Sequence, residues 1–468
     1  MTIFLSFFPI LLTILALGLR MKALHAALLG VVATIMAIAL AFPLSLSQIG
    51  AASLRWGPIL TEVIAIIAGG LLLSNVLQHN RGQAALAKWI EERSGNNIGT
   101  ILLIVHGITP FAESVTGFGI GITIAIPLLV HLGLSASRVA VIGLMGLCAV
   151  PWGSMGPGTL IAATMADVSF YKLGIVSAVI SFIPFTLTGM AAALLSGSAE
   201  HRRRDVFYGF LSGLCLCLLI SVMNLVVGTA PAGALAALIM IVFYLMLGGK
   251  RQVPHLNREG RNALYSYAVL LSGVLLTSWI VGLLKLPAGW HYLASPAVWL
   301  FVASLFAAKG LPQRSPVRKA WDSWVQSASV TGLFLVIGIL MSISGMAECL
   351  ARTLAQAGPG YAVMAPLVAA LGGFVTGSNS GANAMFAATQ ADIARSLHFS
   401  VLWFMGIHNV AASFLLMASP SKIEMALQLI PGATGTDRHW IQKMVLYVSI
   451  FVVLALMLLS CLFLLSAC

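Results

Sequence analysis

The sequence predicts an all-helical polytopic membrane protein, an inverted-repeat secondary transporter with two re-entrant or broken-helix hairpins and about 12–14 transmembrane helices. Three observations predict it. First, 60% of the 468 residues are apolar, and charged side chains make up only 8%. A soluble domain with roughly 25% charged residues would hold about 117 of them at this length. Second, apolar stretches of the roughly 20 residues needed to cross a bilayer core recur from end to end. Third, two of these stretches open with small and polar residues that suit a bend at membrane depth.

The composition excludes a soluble enzyme, a nucleic-acid-binding module and a disordered scaffold. The net charge of +12 would elsewhere suggest nucleic acid, but the basic residues sit in short connections between apolar stretches, as in cytoplasmic loops. Cys148, Cys215, Cys217, Cys349, Cys461 and Cys468 show no metal-ligand spacing, and they read as reduced structural thiols. No metal site and no cofactor is expected. The sequence also holds no GxxxxGK[ST], HExxH or GxSxG motif, so energy for uphill transport would come from an ion gradient.

The spans read, in order, 2–19, 23–42, 58–78, 98–114, 138–160, 172–197, 208–228, 231–248, 264–284, 294–309, 326–346, 361–376, 399–418 and 442–465. The first is expected to be a retained span, since it lacks a basic leader and a small-residue cleavage site. Arg20 with Lys22, Arg81 with Lys88 and Arg93, Arg202 to Arg204, Lys250 with Arg251, Arg258 and Arg261, and Lys309 with Arg314, Arg318 and Lys319 mark cytoplasmic connections. The connections at 43–57, 229–231, 285–293 and 347–360 are poorer in basic charge and are expected outside. Both termini then lie outside.

The interrupted stretches are 115–133 and 375–390, and the loop charges lean toward reading each as a crossing, discontinuous span. A shift of 260 positions pairs Val115, Thr116 and Gly117 with Val375, Thr376 and Gly377. It also pairs Gly121 with Gly381, Val141 with Val401, and Met145 and Gly146 with Met405 and Gly406. The spans upstream of the two stretches run in opposite directions, so the expected organisation is an inverted repeat: residues 1–204, linking helices 205–310, and residues 311–468. Such carriers hold their site near the bilayer midplane, between broken helices.

Glu113 is the sharpest single residue, because an ionisable group inside the membrane is costly unless it faces a cavity or a partner. Burial disfavours its charged form, which makes it the candidate for proton coupling. His106, seven residues earlier and so on the same face of a regular helix, is a second candidate on that path. His408, Glu62, Glu348 and Glu424 are weaker candidates. Gly117, Gly119 and Gly121, next to Thr116, can expose backbone N–H groups at a helix start. Ser378, Asn379, Ser380 and Asn383 bring hydroxyls and amides to the equivalent place. Helix N-termini with such donors bind carboxylates, although small residues also serve close helix packing. Lys422 fits a basic residue marking the cytoplasmic edge slightly better than an anion site.

At these residues the chain resembles the bacterial L-lactate permease family. FAESVTGFGIG is similar to the family's LEGAAGFGTP through Glu113, Gly117, Phe118 and Gly119. A second motif close to GSDTSSNALFGxLQ matches Gly377, Ser378, Asn383, Ala384, Phe386 and Gln390. A third, near NxxGGxxGKMISPQxI, matches Asn409, Met417, Ser419, Pro420 and Ile423, which adds Asn409 to the substrate-binding candidates. The chain departs from the pattern at Asn379, where the family has an aspartate, and at Ser380, Gly381 and Ala382. The GG and GK elements of the third motif are absent.

The resemblance implies proton symport of lactate or a related 2-hydroxy monocarboxylate across a bacterial cytoplasmic (inner) membrane. The implied partners are a small organic anion, H⁺ and the lipid bilayer, with no nucleic acid and with homo-oligomer formation left open. The alternatives are a sodium-coupled carboxylate or dicarboxylate carrier, with Na⁺ in place of H⁺, and a non-transporting membrane subunit of a channel or receptor.

Overall fold

A computed structural model describes residues 1–468 except 20, 94–97, 118, 197–200, 249–254, 286, 431–434 and 468. Arg20, Lys250 and Arg251 of the basic connections, Phe118 of the first motif and Cys468 therefore lie outside the described residues. The described chain is helical, without strands. Eleven of its helices are long and apolar enough to cross a membrane, or up to twelve with one bent pair. Four shorter apolar helices accompany them: Thr2–Gly18, Gly121–Val130, Phe182–Leu195 and Pro296–Ala308.

Several connections expected from charge are themselves helical. Residues 43–57 are mostly the first turns of the 34-residue helix Leu46–His79, which starts at a capping box: Gln48 N–H donates to Ser45 Oγ, and Ser45 N–H donates to Gln48 Oε1. Most of 347–360 belongs to Met346–Ala355, a helix with a strong apolar face. The apolar run 138–160 is divided. Ala136–Met145 passes into a tight 3₁₀ segment, Gly146–Met155, and a new helix starts at Pro157. That helix, Pro157–Met165, meets Phe170–Ile180 at a bend of 115°.

The two interrupted stretches are broken where the sequence places them. Thr109–Thr116 ends at Gly117 (φ 72°), and Gly121–Val130 restarts after Gly119 (φ 86°). Pro359–Thr376 ends at Gly377 (φ 63°), and Asn379–Ser396 restarts with Ser378 as its N-cap. These three glycines adopt a conformation that an L side chain rarely takes.

Each restarted helix folds back along the helix before it instead of prolonging it. A Cβ on Gly121 would lie 2.7 Å from Thr109 O. In the second hairpin a Cβ on Gly372 would lie 2.8 Å from the Phe386 ring, and Gln390 Nε2 donates to Tyr361 Oη at 3.1 Å. Gly121–Val130, ten residues long, extends only about 15 Å, half the hydrocarbon core. The crossing span that the loop charges favour is here a hairpin arm.

The order of elements repeats. Leu46–His79, Gly82–Arg93, the first hairpin, Ala136–Met155 and Pro157–Met165 have successive counterparts. These are Arg314–Ile343, Met346–Ala355, the second hairpin, Val401–Ala418 and Pro420–Gln428. Small residues let these helices touch backbone to backbone. Gly338 meets Ala384 O and Gly373 meets Ala412 O so closely that a Cβ on either glycine would overlap the carbonyl.

Candidate functional site

Four helices begin at one place. Gly121–Val130 and Pro157–Met165 come from the first part of the chain, and Asn379–Ser396 and Pro420–Gln428 come from the last. A cavity of about 70 Å³ lies among their starts, and Glu113, Ser154, Gly158, Ser378, Asn379 and Lys422 are on its wall. One water needs roughly 10–15 Å³, so several waters or one small anion fit. Unsatisfied N–H groups and the positive dipole end of each helix make such a meeting point favourable for negative charge.

The two parts of the chain interlock here. A Cβ on Gly158 would sit 2.5 Å from Asn379 Nδ2 and 3.1 Å from Ser380 N, and one on Gly119 would sit 2.6 Å from Lys422 Nζ. Glu113, 4% exposed, turns its carboxylate onto the start of the return arm. Gly119 N–H donates to Oε1 and Oε2 at 2.9 and 3.0 Å, and Gly121 N–H donates to Oε2 at 3.3 Å. Lys422, buried at 9% exposure, interacts with Glu113 electrostatically.

The opposite wall rests on amides. Asn383 Nδ2 donates to Asn409 Oδ1 at 2.9 Å, to Asn379 Oδ1 at 3.0 Å and to Gly158 O at 3.0 Å. Asn379 Nδ2 also donates to Asn409 Oδ1, at 3.2 Å. Asn409 Nδ2 in turn donates to Thr159 Oγ1 and Ser177 Oγ, both at 3.0 Å. Ser378 Oγ accepts from Gly381 N–H at 3.2 Å and caps its helix.

Of the residues singled out from sequence, Glu113, Ser378, Asn379 and Ser380 line the cavity. Gly119 and Gly121 shape the hairpin tip and donate to Glu113. Gly117 packs against Ser154. Asn383 and Asn409 are buried behind the wall as its hydrogen-bonded support. The Thr116 hydroxyl donates back to Ala112 O and is not among the lining groups.

His106 lies elsewhere. Its Nδ1 is 2.7 Å from Ser212 Oγ and its Nε2 is 3.4 Å from Thr188 Oγ1. The spacing of seven misleads because Ile104–Ile108 is a π-helical turn, which inserts an extra residue and rotates His106 away from the face that carries Glu113. Among the weaker candidates, Glu62 accepts from Ser295 Oγ at 2.7 Å, and Glu348 and Glu424 pair with Arg352 and Arg438. His408 is buried within Val401–Leu415.

The sequence model of the L-lactate permease family matches residues 2–262 and 290–465. The chain belongs to the L-lactate permease family. The L-lactate permease of Streptococcus iniae is 23% identical over 436 residues, covering 85% of this chain and 92% of that protein. The L-lactate permease of Escherichia coli (strain K12) is 31% identical over 106 residues, 23% of this chain and 19% of that one. Among solved structures, the YdaH transporter of Alcanivorax borkumensis, reported to have an unusual topology, aligns with a TM-score of 0.48 at 14% identity. The alignment covers 89% of this chain and 86% of that one.

Membership of the permease family makes the protein a multi-pass membrane transporter and not an enzyme. Sequence reasoning left one part of its cavity wall undervalued and missed another. Lys422, weighed as an anion site but read slightly in favour of a cytoplasmic edge, lines the cavity with Glu113 at the start of Pro420–Gln428. Ser154 stands in the turn Ser154–Met155–Gly156, three successive left-handed residues (φ 43°, 65° and 82°). The signals were Gly156-Pro157 and Ser419-Pro420, where a proline opens a helix after a residue that can cap or turn.

Proposed function

We propose that the protein is a proton symporter for lactate or a closely related 2-hydroxy monocarboxylate, working in the inner membrane of a bacterium. The observation that carries this reading is the convergence of three helix starts, one lysine and one carboxyl group on a single small cavity, with the start of Gly121–Val130 bonded to that carboxyl group. Backbone donors and Lys422 suit one carboxylate. Ser378, Ser380 and Asn379 suit a hydroxyl beside it, and the cavity size favours a few-atom anion over a dicarboxylate. Glu113 is the group that gains and loses the proton. The names of the relatives support lactate as the first substrate to test.

The repeated element order supports an inverted duplication of residues 1–204 and 311–468 joined by linking helices at 205–310, with the cavity between the copies. Alternating access then comes from moving one copy against the other.

The test is uptake of labelled L-lactate by proteoliposomes containing the purified full-length chain. A pH gradient, acid outside, should drive accumulation in sodium-free buffer, and a protonophore should abolish it. Accumulation that needs Na⁺ at fixed pH, or none with either gradient, overturns proton symport.

A further inference from the structure

The carboxylate of Glu113 already fills a seat made for an anion. It takes the N–H groups of Gly119 and Gly121 and the electrostatic attraction of Lys422. Lys422 lines the cavity beside Glu113, and the N–H groups of Gly119 and Gly121 stand behind the carboxylate that they hold. A second, independent feature also points to a ligand. Ser154 lines the same cavity, is 1% exposed, and among the described residues its Oγ has no hydrogen-bond partner. Its backbone is held in the left-handed region, an arrangement that sites tolerate at a cost of order 1–3 kcal/mol. Among the described residues, none supplies a partner for this hydroxyl.

We infer that Glu113 is a built-in competitor of the substrate: its ionised carboxylate sits where the substrate carboxylate binds, and one proton on Glu113 releases Gly119, Gly121 and Lys422 to the incoming anion. The inference rests on the carrier reading above and deepens it, because it fixes one proton per monocarboxylate and gives Ser154 to the bound substrate. Charge balance supports it. Ionised Glu113 with protonated Lys422 is neutral, and so is protonated Glu113 with protonated Lys422 and a bound monocarboxylate. Substrate beside ionised Glu113 would set two carboxylates against one lysine in a low-dielectric place, which like charges resist strongly.

The groups around Glu113 leave little else to titrate. Gly153 faces it from the 3₁₀ segment, Gly119 and Gly121 from its own hairpin, and Lys422 from Pro420–Gln428. Among the described residues, Lys422 is the charged side chain that acts on it.

The test is calorimetric titration of the purified full-length chain with L-lactate, in buffers of different ionisation enthalpy, from mildly acid to mildly alkaline pH. One proton should be taken up per lactate bound wherever Glu113 is ionised. The apparent affinity should weaken tenfold per pH unit there, the slope for one linked proton. Glu113→Gln should bind lactate without proton uptake, at a pH-independent affinity near the acid plateau of the wild type. Ser154→Ala should weaken binding at every pH without changing the slope. Lactate bound by the wild type with no proton uptake overturns the competition and leaves the carrier reading standing. A wild type that binds no lactate at any pH overturns both. The wild-type proton count decides the matter even if Glu113→Gln does not fold.

Discussion

Asn383 and Asn409, on the second hairpin and on the helix that follows it, meet behind the cavity with Nδ2 of the first donating to Oδ1 of the second at 2.9 Å. Through this bond the tip of Asn379–Ser396 is tied to Thr159 and Ser177 of the other half of the chain, because Asn409 Nδ2 donates to both hydroxyls. The wall is therefore fixed by amides that do not themselves line the cavity. Asn409→Ala would strip partners from Asn379, Asn383, Thr159 and Ser177 at once. Each buried polar group left unsatisfied costs about 1–3 kcal/mol, so the melting temperature in detergent should fall clearly and lactate uptake with it. An unchanged melting curve would refute the supporting role.

Gly158 meets the second hairpin with no room for a side chain. Gly158→Ala should cut uptake at least tenfold while the protein still reaches the membrane, because the methyl group would push Asn379 and Ser380 off the cavity wall. Gly360→Ala, where nothing lies within 4 Å of the added carbon, is the control and should transport normally. Side-by-side uptake at matched expression checks the pair.

His106 is packed between Ser212 and Thr188, away from the Glu113 carboxyl group. His106→Gln should cost stability, about 1–2 kcal/mol for the altered hydrogen bonds, yet leave the number of protons moved per lactate unchanged. Simultaneous recording of proton and lactate fluxes measures this ratio, and a lower ratio would return His106 to the proton path.

Lys422 and Glu113 are buried together, so removing the lysine alone should be worse than removing both. Breaking a buried charge pair from one side costs about 3–5 kcal/mol, and Lys422→Gln should melt well below the wild type. Combining it with Glu113→Gln should recover most of that loss without restoring accumulation. Thermal denaturation of the two single variants and the double variant tests the coupling, and additive effects would deny it.

Much of this arrangement is legible in the sequence. The hairpin tips show because glycine, serine and asparagine interrupt otherwise apolar runs, and Glu113 stands out because carboxylates are rare there. The breaks at 153–156 and 416–419 are harder to read. The span read as 138–160 runs straight across Trp152 to Pro157, and the span read as 399–418 stops at the second break without showing that a helix restarts there; only the prolines betray a restart. Lys422 is undervalued for the same reason: with the helix start unseen, a lysine after an apolar run looks like a boundary. His106 fails differently, because the inserted π turn is a property of packing that regular periodicity does not foresee.

The cavity wall is shared between the two ends of the chain: Glu113 and Ser154 belong to one, and Ser378, Asn379 and Lys422 to the other. Neither end alone can hold cargo firmly. In the carrier proposed above, drawing them apart to admit or discharge a molecule would dismantle its grip in the same stroke. Release would then follow from that separation together with the return of the Glu113 carboxylate to its donors.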